Sequence, residues 1–264
     1  AKWTHEFGNG GPDLVGWGNS ELQHYTPQNA TVDDELLAIE AKYHHEPLTE
    51  LDGNDVPGGA TYTSSKITTK DKFAFQYGRV DIRAVVAEGQ GLWSAGWMLG
   101  ATGKGWPYSG EIDIFDTIGG PGQEEMIVHN MYWNNEGPDD ADGEYEKVNI
   151  NEGDGSGEVF INENIPGFQP NDTFSNKFHV YSIVWTEENI KFYVNNYETL
   201  DVPMTGVMGE SFQQGPFYLI LNVAVGGTWP QPPQLNDPDA DDFTRFPRGM
   251  LVDYIRVYQP TSND

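Results

Sequence analysis

The run Glu111-Ile112-Asp113-Ile114-Phe115-Asp116 sets three carboxylates within six residues. In a strand, side chains alternate faces, so Glu111 and Asp113 share one side while Ile112 and Ile114 point to the other, into a core. Strict alternation would put Asp116 with the isoleucines. One extra residue, a bulge at Ile114 or Phe115, restores the parity and swings Asp116 onto the carboxylate face. Three acids crowded there repel one another and raise one another's pKa. A sequence selected for stability alone avoids that arrangement. Cleavage of a glycosidic bond requires it, because one carboxylate attacks the sugar or activates water while a second delivers a proton. The flanks agree: Trp106-Pro107-Tyr108-Ser109-Gly110 leads in and Gly119-Gly120-Pro121-Gly122 follows as a turn. Aromatic rings beside paired acids suit a pyranose, with its flat C–H face and rim of hydroxyls. The competing reading is a calcium loop or a solvated acidic strand. The spacing lacks the glycine and distal glutamate of an EF-hand, and the alternating isoleucines argue for a sheet.

The elements that must hold this run are strands. Stretches rich in Val, Ile, Tyr, Phe and Thr recur over 73–86, 178–185, 190–194, 217–225 and 251–258, with no helical period of useful length. With 31 Gly and 17 Pro punctuating 264 residues, the pattern predicts an all-β antiparallel sandwich, one domain over 1–264. The polar stretches 52–60 and 136–157 read as long surface loops. There is no internal repeat and no cysteine, so disulfides and thiolate chemistry are out. No signal peptide or membrane span is evident, and the opening Ala-Lys-Trp fits a processed chain.

Acids outnumber bases 41 to 14, a formal charge of −27. Such a surface repels nucleic acid, anionic membranes and strongly anionic polysaccharides. Adaptation to high salt is one reading of the excess, since salt screens self-repulsion; an ordinary acidic secreted protein is the other.

Beyond the acid run, the chain resembles glycoside hydrolase family 16, most closely its laminarinases, the endo-β-1,3-glucanases. The resemblance runs through Gly16-Trp17-Gly18-Asn19-Ser20-Glu21-Leu22-Gln23-His24-Tyr25-Thr26, Tyr62-Thr63-Ser64-Ser65 and Tyr77-Gly78-Arg79-Val80-Asp81-Ile82-Arg83. It continues in Trp93-Ser94-Ala95-Gly96-Trp97-Met98-Leu99-Gly100 and the acid run. It closes in Leu221-Asn222-Val223-Ala224-Val225-Gly226-Gly227-Thr228-Trp229-Pro230 and Val252-Asp253-Tyr254-Ile255-Arg256-Val257-Tyr258. It implies a curved β-sandwich jelly roll with a concave cleft and a retaining mechanism. Glu111 would be the nucleophile, Asp113 its tuning partner and position 116 the general acid/base. It also implies a secreted, monomeric enzyme acting on β-1,3-glucan, with mixed-linkage β-1,3-1,4-glucan or a marine galactan as the related alternative, and no organic cofactor. The family normally carries Glu at the third acid position, and here stands Asp116. Retaining enzymes hold their two carboxyls ~5–5.5 Å apart, and Asp is a methylene shorter. Either the backbone compensates, or the protein binds glucan with little turnover, or the residue is an introduced substitution.

The resemblance also assigns cleft roles. Asp81 and Arg83 alternate on one strand and share a face, placed by the family in the cleft; without it they read as a surface ion pair. Asn19 suits a sugar hydroxyl, and Asn222, set in an apolar run, needs a partner in the core or in substrate. Trp93, Trp97, Trp106 and Trp229 sit among Gly, Ser and Pro and read as sugar platforms, whereas Trp185 reads as packing. A histidine belongs on the strand after the acids, filled by His129 or, in a shifted register, by Tyr132. On the convex side the family often holds a structural calcium, whose ligands here would be Glu6, Asp253 and a carbonyl near Glu35; the alternative is unrelated surface acids.

Overall fold

The computed structural model describes residues 1–120, 123, 125–133, 146–148, 158–160, 164–235 and 246–260. Strands make up 54% and helix 6%, so the all-β reading holds. Two sheets face each other. The first runs Thr4–His5, Lys66–Thr68, Phe217–Val225, Leu92–Gly100, Glu111–Ile118, Met126–Trp133, Glu146–Val148, with Glu158–Phe160 pairing the start of Met126–Trp133. The second runs Tyr197–Pro203, Asn189–Val194, His179–Trp185, Gly78–Val85, Arg248–Tyr258, Leu36–Leu51, Asn54–Ser64, Gln23–Tyr25, with Ala30–Asp33 on Leu36–Leu51. Pairing is antiparallel apart from Gln23–Tyr25 on Asn54–Ser64.

The alternating pattern explains the sandwich. Leu92, Met98, Ile112, Phe115, Leu219, Leu221 and Val223 of the first sheet and Val80, Ile82, Ile183, Phe192 and Met250 of the second belong to one buried cluster. Each such side chain contributes roughly 1.5–3 kcal/mol by leaving water. The outer face of the first sheet is then free to carry polar groups at every second position. The acid strand lies inside that sheet, between Leu92–Gly100 and Met126–Trp133, so its backbone is fixed on both sides.

Two loop expectations need correction. The stretch 52–60 is mostly strand: Leu36–Leu51 and Asn54–Ser64 form a hairpin closed by Asp52 and Gly53, whose φ values of 53° and 75° match a two-residue turn. The strand expected over 73–86 begins only at Gly78, because Tyr77 and Gly78 take φ of 61° and 116° and turn the chain there. Of the expected loop 136–157 only 146–148 is described, and Pro121 and Gly122 of the turn also lie outside the described residues.

Candidate active site

The ladders on both sides of the acid strand locate its bulge. On one side Gly96 faces Phe115 and Trp97 faces Asp113, so Ile114 is passed over. On the other, Val128 faces Asp116 and Asn130 faces Asp113, leaving His129 opposite both Ile114 and Phe115. Ile112, Ile114 and Phe115 are fully buried in the sandwich, while Glu111, Asp113 and Asp116 share the outer face. Gly96 makes room for the turn: a Cβ there would meet Phe115 Cε1 at 2.4 Å.

The three acids are held by neutral donors and by one another. Trp93 Nε1 donates to Asp116 Oδ1 at 3.1 Å, and Asn130 Nδ2 to Asp116 Oδ2 at 3.1 Å. Trp106 Nε1 donates to Glu111 Oε2. Asp113, 3% exposed, lies between the other two and hydrogen-bonds both. Burial is the first cause of every shift: it pushes Glu111 up to about 7 and Asp116 up to about 6, and lifts Asp113 well above the carboxylate range. Mutual repulsion adds to burial at Asp113, whereas the Trp93, Asp113 and Asn130 bonds restrain Asp116. The cluster therefore keeps a proton on Asp113, between two carboxyls that titrate near neutrality.

Beside the acids runs a second polar chain. Trp97 Nε1 donates to Asn222 Oδ1 at 2.8 Å, Asn222 Nδ2 to Tyr25 Oη at 3.1 Å, and Tyr25 Oη to Glu21 Oε2 at 3.2 Å. Gln23 Nε2 at 2.6 Å and Asn19 Nδ2 at 3.1 Å also donate to Glu21. Burial raises the Glu21 pKa against those donors. Lys66, 9% exposed, places its ammonium 4.2 Å from the Trp17 ring centroid and 5.1 Å from that of Trp97, a cation–π pairing on both. At the other end Trp229 stands edge-on to Trp93 at 5.3 Å, and Trp106 lies 6.2 Å from Tyr132. The face can thus offer acids for proton and covalent chemistry and indoles for sugar rings.

Of the residues read from sequence, Glu111, Asp113, Asp116, Asn19, Trp93, Trp97, Trp106, Asn222 and Trp229 come together here. Three cleft expectations are corrected. Asp81 and Arg83 lie on the outer face of the other sheet, because Val80, Ile82 and Ala84 take the core side of their strand. There Asp81 pairs with Arg79 at 2.6 Å and Arg83 with Asp253. His129 points inward and is 0% exposed: its Nδ1 bonds Ile114 O at 2.8 Å, its Nε2 meets Thr199 Oγ1 at 2.9 Å, and its ring packs 4.6 Å from Phe192. Tyr132, opposite Glu111 in the ladder, takes the cleft side instead. The calcium set finds no support among the described residues. Asp253 is engaged by Arg83, Glu6 acts on Lys66, Tyr25 and Tyr218 of the cleft side, and Glu35 is exposed at a turn of the second sheet. Among the described residues no three His, Cys, Asp or Glu could hold a metal. Glu21, Gln23, Tyr25, Lys66 and Asn130 were missed; the polar alternation of Glu21, Gln23 and Tyr25 was their one available signal.

Known proteins share this arrangement of strands. The chain is 36% identical to glucan endo-1,3-beta-glucosidase A1 of Niallia circulans over 98% of its own length and 36% of the relative's. It is 34% identical to a beta-glucanase of Rhodothermus marinus, over 98% of this chain and 79% of that one. It thus spans about a third of the first relative and about four-fifths of the second. The laminarinase catalytic domain of Thermotoga maritima superposes with a TM-score of 0.76 at 35% identity, covering 98% of this chain and 92% of that one. Residues 19–242 match the family described as glycosyl hydrolases family 16, and the chain belongs to that family.

Proposed function

We propose that this protein is a retaining endo-β-1,3-glucanase, with Glu111 as nucleophile and Asp116 as acid/base. The observation that supports it most is the bulge at Ile114, which gathers the buried Asp113 and Asp116 and the half-buried Glu111 on one face without a salt-bridge partner among the described residues. In the first half-reaction the Glu111 carboxylate attacks the anomeric carbon while Asp116 passes a proton to the departing oxygen. The Asp113 proton, shared with both neighbours, lets charge leave Glu111 and settle on Asp116 without solvent. In the second half, Asp116 takes a proton from water, which attacks the glycosyl ester and frees Glu111. Trp93, bonded to Asp116 and stacked edge-on with Trp229, lines the leaving-group side in this reading. The reading includes secretion, since the polymer lies outside the cell, and a monomeric catalytic unit over 1–264.

Laminarin digestion followed by proton NMR tests the proposal. Release of reducing sugar with the β-anomer appearing first supports it; first appearance of the α-anomer, or no release from any β-glucan, defeats it. A second reading has its own observation. Both Asp116 oxygens are already taken by Trp93 and Asn130, and a short carboxyl so tethered suits a glucan-binding protein with little turnover. Binding of laminarin without release would favour it.

A further inference from the structure

A bulge has a cost that something must offset. The extra residue drops out of the ladder, and its buried carbonyl needs a donor or the strand gains by slipping back into regular register. In this chain the donor is a side chain. His129 is the single residue opposite Ile114 and Phe115, and its Nδ1 stands 2.8 Å from Ile114 O. A carbonyl only accepts, so Nδ1 carries the hydrogen. Nε2 then accepts from Thr199 Oγ1 at 2.9 Å, on the strand Tyr197–Pro203 of the opposite sheet. Burial holds the ring neutral, its pKa pushed down to about 4, so Nε2 keeps the lone pair with which it accepts, while the Ile114 carbonyl selects the tautomer. The ring, packed on Phe192, therefore ties the bulge to the second sheet.

We infer that His129 is a positioning residue for Asp116: by donating to the Ile114 carbonyl it holds the one-residue offset that turns Asp116 toward substrate. Glu111 and Asp113 precede the bulge and keep their face whatever happens at Ile114; Asp116 follows it and does not. The inference rests on the reading of Asp116 as acid/base, and it predicts damage confined to that group's work. A misplacement of ~1 Å at a reacting group lowers rate by ~100-fold.

The test uses the full chain with two substrates, laminarin and 2,4-dinitrophenyl β-laminaribioside. The activated aryl group leaves without a proton, so only release of the glycosyl–Glu111 ester then needs Asp116 as base. Azide can do that release instead: its nitrogen bonds the anomeric carbon, the C–O bond to Glu111 breaks, the carboxylate returns, and no proton moves. His129→Phe keeps a ring against Phe192 and removes the donor. The expected result is a tenfold to hundredfold loss on laminarin, restoration of aryl glycoside turnover by azide, and a β-glycosyl azide product. His129→Asn, whose amide N–H reaches where Nδ1 stood, should recover most laminarin activity and lose the azide effect. His129→Gln places its amide nearer Nε2, keeps the Thr199 partner and should behave like His129→Phe; it carries the test alone if the Phe variant does not fold. Equal losses on both substrates with no azide response in the folded variants, or no loss at all, would overturn the inference. Asp116→Ala is the control. Azide rescue there without rescue in the His129 variants removes this inference alone, whereas its absence in Asp116→Ala removes the acid/base assignment and this inference with it.

Discussion

The two outer faces of the sandwich carry similar acids under opposite conditions. On the second sheet Asp81 lies 2.6 Å from Arg79, and Asp253 bonds Arg83, each pair partly exposed. Exposed pairs of this kind contribute about 0–1 kcal/mol, and nothing in their geometry asks for more. On the first sheet Asp113 and Asp116 are buried and Glu111 half-buried; they lean on neutral indoles and an amide, and repel one another. Water and counter-charge would stabilise them better. The difference teaches where stability has been given up, and that sacrifice marks the working face.

The sharpest way to break the comparison is to remove charge from each face in turn. Glu111→Gln should lower laminarin hydrolysis by roughly 10³-fold or more while leaving laminarin affinity within a few-fold, measured by reducing-sugar release and calorimetry. Near-normal turnover would take the nucleophile role from Glu111. Asp116→Glu restores a methylene of reach and should raise kcat by about tenfold or more, within the range that ~1 Å of misplacement controls. A fall in kcat would mean that the backbone already compensates for the short side chain.

Protonation sharpens the same contrast. The nucleophile must be charged and the acid protonated; with Glu111 at about 7 and Asp116 at about 6 that arrangement is the less populated of the two singly protonated ones, and kcat/KM should be bell-shaped with limbs set by the cluster in that region. A flat profile between pH 5 and 8 would contradict it. Stability has a definite sign as well. These acids have folded pKa values above their unfolded ones, so their contribution is fully present below the unfolded pKa and is lost as pH rises through about 6 to 7. Asp113→Asn should therefore raise Tm relative to wild type more at pH 8 than at pH 4, because burial lifts the Asp113 pKa. An equal effect at both pH values would show that Asp113 is not a buried proton store.

The smallest effects belong to the other face. Asp81→Asn and Asp253→Asn should each change stability by no more than about 1 kcal/mol and leave laminarin turnover alone; a loss of activity would return those strands to the cleft. The acid excess acts diffusely. Raising salt from 0.01 to 1 M shortens the screening length from about 30 to about 3 Å, and Tm should rise with it. A flat or falling Tm would leave the charge of −27 unexplained.

What the sequence made legible follows from which forces act locally. The bulge could be read because Glu111, Asp113 and Asp116 share a purpose that strict alternation forbids. Alternation also put Asp81 and Arg83 on an outer face, since Val80, Ile82 and Ala84 are apolar, but it carries no word on which sheet they join; that is decided by pairing with 179–185 and 248–258. His129 was misplaced because Met126, Ile127, Val128 and Met131 are apolar on both faces, so period two has no contrast to show. Asp52-Gly53 was a readable hairpin turn, hidden by the polar strands on either side. Lys66 gave no warning, as a lone lysine is normally solvated; the rings of Trp17 and Trp97 and the carboxylates of Glu6, Glu21 and Glu111, brought from distant segments, surround it as a buried cation.

Trp106 is 49% exposed and its indole N–H rests on the Glu111 carboxyl. Indole emission responds to charge at its nitrogen edge, so the fluorescence of this ring should follow the ionisation of Glu111 through about 7. Seven other tryptophans emit beside it, and the difference between wild type and Trp106→Phe isolates its share. The same light would change when a sugar displaces solvent from the ring. The nucleophile thus comes with an optical probe in contact with it, one that reads charge state and occupancy without turnover.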